Sequence, residues 1–252
     1  MLRVESLSKR FGGVRAVQDV SFEVTPGTVH SIIGPNGAGK TTLLNLLCGI
    51  EQPDLGRILF DGVALTGKPQ HLFAAAGIGR TFQNLQIFFN MSAAENVMAG
   101  GWLHQACGLA AAMLRPPRLA RAERRAAEEA RGLLELVGLG RWADAPAEAM
   151  PYGALKRLEI ARALAARPRL LLLDEPAAGL NPSETREIDE LIRSIAARGI
   201  TVVLVEHNMK LVMEVSQRVL VLHEGRKLAE GDPREVAEHP AVVEAYLGTE
   251  HA

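Results

Sequence analysis

Apolar and polar positions along this chain follow three distinct patterns, and each forecasts its own element. In residues 1–33 short apolar runs alternate with polar positions, broken by turn chemistry at Phe11-Gly12-Gly13 and Pro26-Gly27. That period of two predicts antiparallel strands and hairpins. Arg57-Ile58-Leu59-Phe60-Asp61-Gly62 reads as another strand ending in a turn. Val29–Ile33, residues 170–173 and Thr201–Val205 are instead nearly continuous apolar runs of strand length. Strands buried on both faces of a parallel sheet read this way, and each run leads through polar residues into a helical pattern, as βα units require. Residues 85–168 are helix-rich. Over residues 119–137, Ala122, Ala126, Ala130, Leu133 and Val137 recur at spacings of three and four. They predict a core face, with Arg124–Glu128 and Arg125–Glu129 pairing on the solvent side. No internal repeat or low-complexity linker interrupts the chain, so the helical block reads as an insertion in one α/β body.

Composition narrows the setting. The 252 residues carry a net charge of −1, with 48% hydrophobic and 23% charged positions. That is an ordinary globular balance, large enough to bury a substantial core. It lacks the basic excess of a general nucleic-acid binder. The two cysteines, Cys48 and Cys107, cannot build a disulfide scaffold, and Met1-Leu2-Arg3-Val4-Glu5 has charges where a signal peptide needs an apolar block. A cytosolic protein is expected. Residues 96–114 contain no Asp, Glu, Lys or Arg, enough on length alone to span a bilayer. Gly100, Gly101, His104, Gln105 and Gly108 make that stretch a poor lipid-facing helix, and it reads as packing within the helical block or against a membrane partner.

The chemistry begins at Gly34-Pro35-Asn36-Gly37-Ala38-Gly39-Lys40-Thr41, which fits G-x-x-x-x-G-K-[ST] and lies between the strand Val29–Ile33 and a helical run at 43–47. Composition alone would produce this pattern roughly 0.004 times in a chain of this length. Its glycines let backbone N–H groups surround a phosphate, assisted by the helix N-terminus. Lys40 is placed to bridge β- and γ-phosphates and the Thr41 hydroxyl to ligate Mg²⁺, with Thr42 beside it. Leu170-Leu171-Leu172-Leu173-Asp174-Glu175 then supplies a buried strand with two carboxylates at its end. Asp174 can hold Mg²⁺ through water, and Glu175 can orient or deprotonate a water at the γ-phosphate. Together these features predict a nucleoside triphosphatase. Its expected fold is α/β: a P-loop core with a parallel sheet, an N-terminal antiparallel β subdomain and an inserted α-helical subdomain.

Around Met150-Pro151-Tyr152-Gly153-Ala154 and the basic and acidic helix that follows, the chain resembles the ABC-type ATPases. Gln83 in Arg80-Thr81-Phe82-Gln83-Asn84 resembles that family's Q-loop, His207 in Val205-Glu206-His207 its switch histidine, and Gly179-Leu180-Asn181 its D-loop. Phe11 sits where the family places an adenine-stacking aromatic, a contact that sets affinity more than nucleotide choice. Alone, these residues read as a core phenylalanine, a solvated loop and a cap; their order around the phosphate loop gives them roles. The resemblance covers essentially the whole chain. It implies ATP and Mg²⁺ as ligands, with Thr41, Gln83 and Asp174 at the metal, and a head-to-tail dimer with a second ATP-binding subunit. In that dimer Gly153 of one subunit faces the phosphate bound to the other. The family signature usually reads Leu-Ser-Gly-Gly-Gln, whereas Pro151 here offers neither a hydroxyl nor an N–H. A looser contact across the dimer is expected, carried by Gly153 and the helix N-terminus.

The resemblance extends to one branch through Met91-Ser92-Ala93-Ala94-Glu95-Asn96-Val97, Glu206-His207-Asn208-Met209-Lys210-Leu211-Val212-Met213 and Val243-Glu244-Ala245-Tyr246-Leu247-Gly248. That branch comprises the ATP-binding subunits of branched-chain amino-acid importers. It implies a cytoplasmic subunit, peripheral on the inner face of the membrane, beneath two permease subunits and served indirectly by a substrate-binding protein. Residues 85–160 form the expected helical subdomain, and 1–84 with 161–252 the nucleotide-binding core, within one cassette. Phe88, Phe89 and Met91 are candidate contacts for a permease helix. Related transporters of urea or amides, aromatic carboxylates or lipopolysaccharide, and ATPase clamps that act without membranes, are the alternative readings. The remaining histidines, His30, His71, His104, His223 and His239, show no metal-ligand spacing, and Cys48 reads as a small buried residue.

Overall fold

Alternation with one buried face builds the first sheet. Strands β1 (Leu2–Phe11) and β2 (Val14–Val24) form an antiparallel hairpin whose last register pair is Phe11 and Val14. The other edge of β1 pairs with β4 (Leu55–Phe60), which turns into β5 (Val63–Ala64), for an order β2-β1-β4-β5. Leu2, Val4, Leu7, Val20, Phe22, Ile58 and Phe60 fill its inner face. The structure, a computed structural model, describes residues 1–102 and 117–247. The uncharged stretch 96–114 is therefore described only as far as Trp102, and His104, Cys107 and Gly248 lie outside the described residues.

The continuous apolar runs form the centre of a second, six-stranded sheet. Its strands are β3 (Val29–Ile33), β6 (Ile78–Arg80), β7 (Leu170–Asp174), β8 (Thr201–Val205), β9 (Arg218–His223) and β10 (Arg226–Gly231). The order is β10-β9-β3-β8-β7-β6, parallel throughout except for antiparallel β10 at the edge. Every residue of β3, β7 and β8 is buried. The pleat divides them between two cores. Leu170, Leu172, Val203 and Val205 face the first sheet and helix α1 (Lys40–Leu47), whereas Leu171, Leu173, Val202 and Leu204 face the helices beyond. Because five strands run parallel, the C-terminal ends of β3, β6, β7 and β8 emerge along one edge, where open α/β sheets place their ligands.

The helices are α2 (Gln70–Ala75), α3 (Ala93–Gly100), α4 (Pro117–Leu136), α5 (Tyr152–Ala165), α6 (Pro182–Ala197), α7 (Met209–Val215), α8 (Pro233–Ala237) and α9 (Pro240–Leu247). Helix α3 starts with a capping box of Ser92 and Glu95, which satisfies two end groups at once. Helix α5 runs unbroken through residue 160, so the expected subdomain boundary falls inside it.

Helix α4 differs from its expected face. Ala130, Leu134 and Val137 are buried, Leu133 and Ala126 are half-buried, and Ala122 is exposed. Among the residues of α4 whose burial is described, those that meet the core lie in its C-terminal half, and the leucine next to the one expected points inward. Glu129 is engaged by Arg167 at 2.7 Å instead of serving the expected pair with Arg125. A third, smaller cluster of Ile33, Val212, Val219, Val221, Val236 and Val242 seats the C-terminal helices beside β9.

Candidate functional site

The loop 34–39 joins the buried end of β3 to α1, and its backbone leaves no room for side chains at two points. At Gly34 (φ +150°) a Cβ would stand 2.1 Å from the Leu222 carbonyl oxygen, and at Gly39 (φ +98°) 2.2 Å from that of Ala16. Helix α1 then starts with no side-chain cap and no acid in its first turn. Uncapped N–H groups and the positive end of the helix dipole make an anion site. Lys40 is buried, and its Nζ turns back to donate to the carbonyls of Gly34 (2.8 Å) and Pro35 (3.0 Å). Burial pushes the Lys40 ammonium below its ordinary range, while Glu175 and Asp174 pull it back up.

Glu175 faces this loop from the end of β7. Its φ of +49° is left-handed, uncommon for a residue with a Cβ, and its N–H donates to Val205 O at 2.9 Å across the sheet. Each carboxylate oxygen has its own partner. His207 Nε2 lies 2.6 Å from Oε1, and Gln83 Nε2 donates to Oε2 at 3.2 Å. The residues that meet here come from the ends of β6, β7 and β8, 92 and 32 positions from Glu175 in the chain. A cleft of about 540 Å³ collects Asn36 to Thr42, Gln83, Glu175 and His207 on one side. Val14, Arg15, Ala16 and Gln18 of β2, with Glu224, form the other.

Asp174 ends β7, immediately before Glu175. It is 2% exposed; Oδ2 accepts from Arg80 Nη2 at 2.9 Å, while Oδ1 is buried without a hydrogen-bond partner. Arg80 also donates to Asn45 Oδ1 on α1 (2.6 Å) and to Sγ of Cys48, the C-cap of that helix (3.2 Å), and Cys48 is buried as expected. Burial raises the Asp174 carboxyl above its usual range, and Arg80 opposes that rise. Glu206 is equally buried and accepts backbone N–H groups of Ala177 (2.9 Å), His207 (3.1 Å) and Asn208 (3.4 Å). It ties the segment after Glu175 to the segment that carries His207.

The structure thus gathers Lys40, Thr41, Thr42, Gln83, Glu175 and His207 at one cleft, with Asp174 outside its lining, buried next to Glu175 at the end of β7. Gly34 and Pro35 support the loop from behind, as acceptors for Lys40. Phe11 does not line the cleft; it is 44% exposed, beside its register partner Val14, which does, and Lys9 lies over its ring. Gly153 is away from the cleft, in the first turn of α5, where a Cβ would stand 2.4 Å from Glu184 Oε1. Pro151 is the N-cap of α5 and provides no side-chain cap. Arg80 and Glu206 were not among the expected site residues. Each stands beside an expected one, but only the long-range pairing discloses its role. The buried ionisable side chain is the common signal.

A second cavity, about 410 Å³, opens between α2, β6, α3 and α5. Phe82, Gln86, Phe88, Trp102, Glu159 and Arg162 contribute to its lining; Phe89 and Met91 do not. Among the described residues no helix is long and apolar enough to cross a membrane.

A family model described as ABC transporter matches residues 17–178, and one described as Branched-chain amino acid ATP-binding cassette transporter matches residues 226–252. The chain is 45% identical over 249 residues to the high-affinity branched-chain amino acid transport ATP-binding protein BraF of Pseudomonas aeruginosa, covering 98% of each. It is 43% identical, at the same coverage, to the corresponding ATP-binding protein LivG of Escherichia coli K12. Among solved structures, the ADP conformation of an ATP-binding cassette of an ABC transporter is similar at a TM-score of 0.86 and 33% identity, covering 98% of both chains.

Proposed function

The chain belongs to the ABC transporter ATP-binding family, and from that membership we propose that it drives an importer of branched-chain amino acids. It is an ATPase, and the amino-acid class is supported by its identity to BraF and LivG across nearly the full length of each. In this reading it lies on the inner face of the membrane beneath two permease subunits, paired with a second ATP-binding subunit. The 410 Å³ groove is the docking place for a permease helix, with Phe88 in its lining.

One observation carries the catalytic reading: Glu175 is held between His207 and Gln83, facing the phosphate loop. The triphosphate lies along the backbone N–H groups from Asn36 to Thr41, and Lys40 exchanges the Gly34 and Pro35 carbonyls for β- and γ-phosphate oxygens. Thr41, Gln83 and Asp174 are the residues to hold Mg²⁺; the partnerless Asp174 Oδ1 and the all-oxygen donor set suit a hard cation. Bound there, the ion neutralises phosphate charge. Glu175 orients the attacking water and accepts its proton, and His207 fixes the carboxylate's orientation. A positioned base of this kind contributes about 10²–10⁴ in rate. The base stacks on Phe11, the register partner of the cleft-lining Val14. Across the dimer, the first-turn N–H groups of Tyr152 and Gly153 face the partner's phosphate, since Pro151 donates nothing.

Glu175→Gln tests the reading. It keeps the shape of the side chain and should leave the affinity for a fluorescent ATP analogue within about threefold. Turnover should fall by about 10²-fold or more, with an ATP-dependent dimer accumulating on size exclusion. Undiminished turnover refutes the role of Glu175. For the transported class, deleting the gene should abolish leucine uptake, and unchanged uptake refutes that assignment.

A further inference from the structure

One face of α5 is charged, buried and aimed at the loop that carries Gln83. Lys156 is 2% exposed and Glu159 6% exposed. Lys156 Nζ donates to Gln83 O at 3.1 Å, and Glu159 Oε1 accepts from Phe82 N at 3.1 Å. The Gln86 N–H also serves Glu159, and Arg162 donates to Gln86 O while its guanidinium lies 4.9 Å from the Phe88 ring centroid. The three side chains, at intervals of three along the helix, hold the loop by its backbone from residue 82 to residue 86.

We propose that Glu159, with Lys156 and Arg162, is a positioning residue for Gln83, locking the Gln83 loop to α5 so that loop and helix move as one body. The proposal rests on the ATPase reading above. Folding alone does not require this arrangement. Helix α5 already buries Leu155, Leu158, Ile160, Ala161 and Leu164, and taking charges out of water is costly unless each is fully bonded. These bonds grip main chain on both sides of Gln83, whose side chain reaches Glu175 at 3.2 Å, so a shift of α5 reaches that carboxylate with little slack. The first turn of the same helix carries exposed Tyr152 and buried Gly153, and its later turns line the second cavity through Glu159 and Arg162. The ladder therefore links the dimer-facing end of α5, the Glu175 site and the groove.

A double-mutant cycle on the full chain tests this, reading kcat, the Kd of a fluorescent ATP analogue and Tm. Glu159→Ala should lower kcat by about fivefold or more with Kd changed by less than about twofold, because the phosphate loop is untouched. In a Gln83→Ala background the same substitution should change kcat by less than about twofold, since a residue acting through Gln83 has nothing left to position. Glu159→Gln should recover part of kcat, its amide oxygen still accepting from Phe82. Lys156→Met, which releases the loop from its other side, should show the same loss of effect in the Gln83→Ala background, and it serves if Glu159→Ala does not fold. Fully additive losses in both cycles, an unchanged kcat in the single variants, or a rise in Kd matching the fall in kcat overturns the proposal. Glu175→Gln run alongside separates the two readings. Wild-type turnover in that variant defeats the site assignment, whereas an inactive Glu175→Gln with additive Glu159 and Lys156 cycles defeats only the positioning role.

Discussion

Removing Arg80 should cost far more than removing any surface arginine, and the structure says by how much. The Arg80 and Asp174 side chains are 6% and 2% exposed and 2.9 Å apart. Asp174 Oδ1 already lacks a partner, so Arg80→Met would leave both oxygens of a buried carboxylate without a cation or side-chain donor. Breaking a buried ion pair from one side costs about 3–5 kcal/mol. For a chain of this size each kcal/mol moves Tm by about 2–4 °C, so a drop of about 6–20 °C is expected. Arg131, paired with Asp144 at 53% and 78% exposure, provides the control. Water screens that pair, and Arg131→Met should cost about 1 kcal/mol or less. Scanning calorimetry of both variants, Asp174→Asn and Arg80→Met/Asp174→Asn makes the comparison. The double variant should be more stable than the two single losses added together, because no unpaired charge remains. Additive losses, or an Arg80→Met Tm within about 2 °C of wild type, would refute the reasoning.

Two further outcomes follow from other parts of the fold. His30 is 1% exposed beside the Phe22 ring, and burial lowers its pKa from 6.5 to about 4. The unfolded chain therefore takes up the proton first, so this contribution is full above pH 6.5 and drains as pH falls to about 4. Chemical denaturation across that window should show wild type losing up to ~3 kcal/mol relative to His30→Leu, and parallel curves would contradict it. Gly39→Ala must both adopt φ +98° and place a Cβ 2.2 Å from the Ala16 carbonyl oxygen, so the phosphate loop has to move off β2. Nucleotide affinity should fall by about tenfold or more. Gly199→Ala, at φ +85° with open space around it, should cost about 1–2 kcal/mol of stability and leave affinity alone.

Much of this molecule was legible in the chain because the physics involved is local. A phosphate loop needs glycines at fixed steps and a lysine opening a helix, and a strand buried on both faces needs consecutive apolar residues. So β3, β7 and β8 and the loop 34–39 could all be read from short windows, whereas Glu175 and His207 stood out only through their order relative to that loop. Strand β6 could not, since it is three residues long and lies at the sheet edge beside β7. The other departures share one cause. The exposure of Ala122, the pairing of Glu129 with Arg167, and the side of the hairpin that borders the cleft depend on which surfaces meet. So do the partners of the buried charges. Arg80 reaches Asp174 across 94 positions, Glu159 reaches Phe82 across 77, and Glu206 reaches Ala177 across 29. The one-dimensional pattern determined the phosphate loop and the buried strands, and marked Gln83, Glu175 and His207 as candidates. Strand order and helix packing determined which buried charge finds which partner, because a desolvated charge is stable only where the fold brings its counterpart within hydrogen-bond reach.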